Sequence, residues 1–138
     1  MSTFNTAQEV LEGLSEPVPG PEFGPEDYDS DGDLDAEAKA DGYLTVLTRA
    51  LNQRAPAHTV HVGATPMGVT VTIAVPFGED HAGCMSRAGA SGIPEDPDNY
   101  DDPVLFAYAS AFTMACEGFG MEVDDTEEAG LTAAPSTC

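Results

Sequence analysis

The sequence predicts an α+β fold: a small single domain in which an antiparallel β-hairpin, with or without a third short strand, packs against two main helices and a short N-terminal helix. Three observations carry this prediction. Val60, Val62 and Ala64, then Val69, Val71, Ile73 and Val75, alternate with polar or small residues on either side of Thr65-Pro-Met-Gly68, the pattern of a hairpin. Leu44, Leu47 and Leu51 recur at helical spacing,. Asp101-Asp102-Pro103 heads an apolar run that reaches Phe119. Acid before the first turn, with proline inside it, is a usual helix start.

The elements follow in chain order. Thr6-Ala-Gln-Glu9 has the form of a capping box and is followed by Val10, Leu11 and Leu14, so a helix is expected at about 7–14. Pro17, Pro19, Pro21 and Pro25 bar helix or central strand from the next segment, which reads as an extended linker with Phe23 as its docking residue. Asp35 or Asp41 caps the leucine-bearing helix, and Gly42 argues against its running unbroken from the earlier of the two. The hairpin pairs 58–64 with 68–76. Residues 77–101 read as one long loop. The next helix carries Leu105, Tyr108, Phe112, Ala115 and Phe119 on its inner face and stops at Gly118 and Gly120,. Met121–Val123 is the candidate third strand. The chain thus divides into 1–26, a short helix with a Pro-rich acidic linker; 27–123, the α+β core domain; and 124–138, an acidic tail. The expected core is Leu44, Leu47, Leu51, Val60, Val62, Val69, Val71, Ile73, Val75, Leu105, Tyr108, Phe112 and Phe119.

No run of apolar residues is long enough to span a bilayer. The first residues carry acid and no base, unlike a secretory leader. The three cysteines, Cys84, Cys116 and Cys138, are too few and uneven for a disulfide framework. A cytoplasmic protein is expected.

The charge is extreme, with 25 acidic side chains against 4 basic ones and a net charge of −21. Its layout is uneven: 1–41 carry 12 acids and one lysine, 42–94 two acids and three arginines, and 95–138 11 acids and no base. The acids concentrate in Glu22–Asp41, Glu95–Asp102 and Glu122–Glu128. Repulsion on this scale opposes the compact state, so a fold that keeps it uses it or lives in high salt.

Asp27-Tyr-Asp-Ser-Asp-Gly-Asp-Leu-Asp35 places an aspartate at every second position. Counted from Asp27, it puts Asp29, Asp31, Asp33 and Asp35 at the alternate ligand positions of a calcium loop, and Gly32 at the sixth, where such loops turn sharply. Over this dozen residues it resembles EF-hand and dockerin-type calcium loops. The twelfth position, which needs a bidentate carboxylate, is Ala38, and no helix precedes the run. His58-x-x-His61 and His81-x-x-Cys84 have spacings found in zinc sites, but residues three apart in a strand face opposite ways. Gly83–Gly92 is rich in glycine and serine around Arg87, yet it lacks a phosphate-loop spacing or a nucleophile elbow. Cys84 or Ser86 with His81 has no orienting group, so no catalytic residue is assigned and no enzyme is expected.

Three readings stand on these residues. The first is a non-catalytic acidic interaction protein that binds a basic, nucleic-acid-binding partner and no nucleic acid or membrane itself. Its concrete form is a nucleic-acid mimic, an inhibitor of the kind small phage or mobile-element proteins supply. Asp29, Asp31, Asp33, Asp35, Asp98, Asp101, Asp102, Asp124 and Asp125 then stand in for phosphates, whose density along a duplex sets the charge such partners are built to meet. The second is a calcium-binding module with Asp27, Asp29, Asp31, Asp33 and Asp35 as ligands; in the first reading there is no cofactor. The third is a halophilic domain whose charge has no specific role. The hairpin's free edge also leaves homodimerisation through a strand open.

Overall fold

The computed structural model describes residues 4–28, 30 and 32–124. Its elements are α1 (Ala7–Leu14), β1 (Val18–Pro19), α2 (Ala36–Arg54), β2 (Thr59–Thr65), β3 (Gly68–Phe77), β4 (Gly83–Gly92), α3 (Pro103–Gly118) and β5 (Val123–Asp124). The α+β architecture stands: an antiparallel sheet in the order β2-β3-β4 has helices packed on one face. The hairpin register pairs Thr59 with Ala74 and Thr65 with Gly68. At its tip the Thr65 hydroxyl accepts from the amides of Met67 and Gly68, both at 3.2 Å.

The third strand lies elsewhere than expected. It is β4, inside the segment read as a loop, and it pairs with β3 from Gly68↔Gly92 to Phe77↔Gly83. Its residues have low strand propensity, so pairing to a buried neighbour decides the outcome. Exposure alternates along it: Cys84, Ser86, Ala88 and Ala90 face solvent, and Met85, Arg87 and Gly89 face the helices. Of the expected strand Met121–Val123 only Val123 is in one, β5, a two-residue parallel pairing with β1, Val18↔Val123 and Pro19↔Asp124.

Helix α3 lies on β4 and β3, and α2 packs against α3. The inner face of α3 is built of small residues, Ala107, Ala111, Ala115 and Cys116, with Phe112, and the buried Phe119 caps its end. Gly89 explains why. A Cβ there would stand 2.2 Å from the Ala111 carbonyl oxygen and 2.7 Å from the Met114 Cβ, so helix and strand meet backbone to backbone. Two expected core residues are exposed as a result of this placement. Leu105, on the first turn of α3, is 42% exposed, and Val62, on the outer strand that α3 does not cover, is 53% exposed. Tyr108, also expected inside, is only half-buried.

Three buried residues of the N-terminal segment, Val10, Leu14 and Val18, join the same core as Leu47, Leu51, Val71, Ile73 and Met121. Arg54 fixes that segment, its guanidinium donating to the carbonyls of Leu14 (3.2 Å), Glu16 (2.7 Å) and Pro17 (2.9 Å). Arg87 does the same at the far end of α3, donating from Nε to the Gly118 carbonyl at 3.1 Å and lying over the Phe119 ring. Helix α2 starts at the Asp35 cap and runs through Gly42, which is where Pro21 and Phe23 cross it, 2.9 to 3.1 Å from the position of a Cβ. No helix among the described residues is long and apolar enough to cross a membrane.

Two consequences can be measured. Gly89→Ala should destabilise the fold by about 2–3 kcal/mol in urea unfolding, through a clash with backbone that has no room to yield. Gly92→Ala, whose added methyl meets only the Met67 carbonyl at 3.6 Å, should leave it within about 0.5 kcal/mol. Burial, and then the neighbouring Glu117 charge, pushes the Cys116 thiol up to about 12 from an ordinary 9.0. Burial also raises the Tyr108 hydroxyl, with Cys116 as the lesser cause. The folded state therefore keeps the Cys116 proton at pH values where the unfolded chain has lost it. Stability is whole below pH 9 and declines from there toward 12. Urea midpoints against pH should show that decline in the wild type and a shallower one in Cys116→Val.

Candidate functional site

The aspartate run is a loop closed at its base. A 3-10 turn, Pro25–Asp27, leads in, and the Asp27 carboxylate accepts from the Gly24 amide at 2.8 Å. The Asp35 amide donates to the Asp27 carbonyl at 2.7 Å, and Tyr28 bridges to Leu34. Gly32 takes φ +85° at the turn, a conformation that suits glycine. The Asp35 carboxylate then accepts from the Ala38 amide at 3.0 Å, capping α2. In the calcium-loop count the first and ninth carboxylates are thus each engaged by a main-chain amide. Asp33 lies in this loop; Asp29 and Asp31 fall outside the described residues.

The decisive contact joins two acidic stretches far apart in sequence. Glu37, in the first turn of α2, accepts with one carboxylate oxygen from the Asp101 amide and with the other from the Asp102 amide, both at 3.0 Å. Asp102 in turn accepts from the Leu105 amide at 3.0 Å and caps α3. The N-termini of α2 and α3 therefore sit side by side, and both present the positive ends of their dipoles to these carboxylates. Asp35, Glu37 and Asp102 have structural work as caps and clamp. Glu95, Asp96, Asp98 and Asp101 surround the same corner and are exposed.

Within this corner lies a cavity of about 410 Å³, walled by Asp35, Glu37, Glu95 and Asp96 together with Gly92, Pro94, Tyr100 and Phe106. The two rings pack with centroids 4.8 Å apart at 45°. A second cavity, about 300 Å³ and mostly apolar, runs on between α2 and α3 and shares Ala36 and Phe106 with the first. Carboxylates and an aromatic pair walling one cavity favour a cation, and a planar guanidinium above all, since it takes carboxylates two-pronged and stacks on rings.

Of the residues singled out from the sequence, Asp35, Asp98, Asp101 and Asp102 come together here. Asp124 does not: it belongs to β5, paired with β1 near the C-terminal end of α2, a helix roughly 28 Å long at its 19 residues,. Asp125 lies outside the described residues. Glu37, Glu95, Asp96, Tyr100 and Phe106 were not among the candidates; the signal for Tyr100 was its place within an acidic stretch just before a helix cap.

His58, whose Nδ1 lies 2.7 Å from the Ala55 carbonyl, precedes β2 and shares a small hollow with His81, Phe4 and Val75. His61 and Cys84 are exposed on β2 and β4. Asp80 and His81 both take left-handed φ, 58° and 56°. Among the described residues no three His, Cys, Asp or Glu side chains stand close enough to hold a metal ion. Comparison with protein-family models, curated proteins and solved structures returns no match to this chain.

Glu37→Gln should weaken the clamp by about 1–2 kcal/mol, since a charged acceptor gives way to a neutral one. Amide exchange at Asp101 and Asp102 reads it directly: both should exchange faster, while the amides of β3 hold their protection.

Proposed function

We propose that the protein is a non-catalytic interaction protein that binds a basic partner through the acidic corner where α2 and α3 begin. In its concrete form it occupies the surface of a nucleic-acid-binding protein in place of nucleic acid, as an inhibitor of the phage or mobile-element kind. It acts in the cytoplasm, in keeping with Cys84 and Cys116 being free thiols. The observation that carries this reading is the Glu37 clamp, which brings two acidic stretches to one corner of the fold. Arg54 and Arg87 are directed to main-chain carbonyls elsewhere and do not neutralise that corner. Charge gathered on one side makes a field that steers a partner of opposite sign.

The test uses a deca-arginine peptide, free and bound to a short fluorescent duplex. The protein should bind the peptide and release the duplex, and its affinity should fall steeply between about 50 and 300 mM salt. Glu95→Gln, Asp96→Asn, Asp98→Asn and Asp101→Asn combined should cost about tenfold or more in affinity while leaving the melt unchanged or raised. These positions are chosen because the caps Asp35 and Asp102 and the clamp Glu37 stay intact. Binding that ignores salt, or that survives the four substitutions, overturns the reading.

The calcium alternative draws on one feature, the left-handed Gly32 at the loop's sixth position. It requires a rise in melting temperature with millimolar calcium beyond that from sodium chloride of equal ionic strength, abolished by Asp33→Ala.

A further inference from the structure

The acidic corner alone would suit any cation, but the surface beside it is not acidic. The groove between α2 and α3 is lined by Ala40, Phe106, Ala109, Ser110, Thr113 and Met114 among others, and its rim includes Met114 at 49% exposure. Val104 and Leu105, at 54% and 42%, stand exposed on the first turn of the same helix. An apolar groove with Met114 exposed at its rim, on a chain of charge −21, marks a surface suited to being covered. It is continuous with the acidic cavity, because Ala36 and Phe106 wall both.

We propose that the occupant is an amphipathic helix of the basic partner: its apolar face seats in the α2–α3 groove, and an arginine of the same helix enters the cavity of Glu95, Asp96, Tyr100 and Phe106. The proposal rests on the basic-partner reading above and narrows it. A helix is the element that packs along a groove between two others, with apolar anchors repeating at each turn. Charge complementarity decides the occupant. The corner's four wall carboxylates call for a cation on the incoming helix. A second copy of this chain would bring −21 against −21. Lys39, whose ammonium lies 5.6 Å from the Tyr43 ring centroid, lines the groove on the α2 side, and Glu117 lines it on the α3 side. The arginine is thereby favoured at the cavity end and a cation of the helix's other end at Glu117, which sets the helix's position along the groove.

The experiment compares three probes on the wild-type protein by fluorescence anisotropy. They are a leucine–arginine peptide with leucines at helical spacing, the same composition scrambled to remove the apolar face, and deca-arginine. The patterned peptide should bind about tenfold tighter than the scrambled one and should keep part of its affinity at high salt, where deca-arginine loses its own. Ser110→Trp, which fills the groove without changing charge, should abolish the difference between the two leucine peptides and leave deca-arginine binding as it was. Glu95→Gln with Asp96→Asn should weaken all three. If both leucine peptides bind alike to the wild type, the groove is not the seat and this inference falls, while the basic-partner reading stands on the deca-arginine result. If none of the three binds, both fall. A dimer that Ser110→Trp dissociates would assign the groove to a second copy and overturn the inference as well.

Discussion

Everything else in this structure depends on the contact between α3 and β4 at Gly89. Because no side chain stands there, the Ala111 carbonyl reaches the strand, and the alanines of α3 can lie flat on the sheet. Dispersion and burial across so close an interface let a strand of glycine, alanine and serine hold its place beside β3. The position of α3 then fixes the position of Asp102. Only with α3 seated this way do the Asp101 and Asp102 amides come to the Glu37 carboxylate. The acidic corner is a product of packing at the other side of the helix.

The helices also sort the charge. At their N-termini stand the carboxylates of Asp35, Glu37 and Asp102, which accept from main-chain amides there. At their C-termini stand guanidinium groups: Arg54 on the last carbonyl of α1 and Arg87 on that of α3. Each placement is favoured by the local dipole. Since α2 and α3 begin side by side, the acids collect at one end and two of the four cations are held away from it. A net charge that would otherwise be a diffuse repulsion becomes directional.

What could be read from the sequence was local. The hairpin, the Thr6, Asp35 and Asp102 caps and the α2 leucines depend on neighbours within a few residues, and their side chains announce them. Strand β4 could not be read, because the residues facing inward are Met85, Arg87 and Gly89, a series with no apolar alternation. Val62 and Leu105 were placed inside because periodicity gives a face and not what covers it. The candidate site divides the same way. Its acidic stretches are plain in the sequence, but their junction spans 64 residues from Glu37 to Asp101, and nothing at either end signals the other. The cavity's aromatic floor, Tyr100 on Phe106, is a tertiary fact of the same kind.

The sheet's outer strand has a further bearing on how copies of this protein meet. Among the described residues β2 has β3 on one side and nothing on the other, and Val62 stands half-exposed on it. Open edges of this kind template pairing with another chain. Here mutual repulsion is the restraint, since β2 has no proline, lysine or bulge to blunt it. Replacing the carboxylates by their amides removes that restraint while leaving the edge as it is. The charge that gathers at the acidic corner thus also acts between copies of the molecule, and the carboxylates proposed to meet a partner are the ones that hold those copies apart.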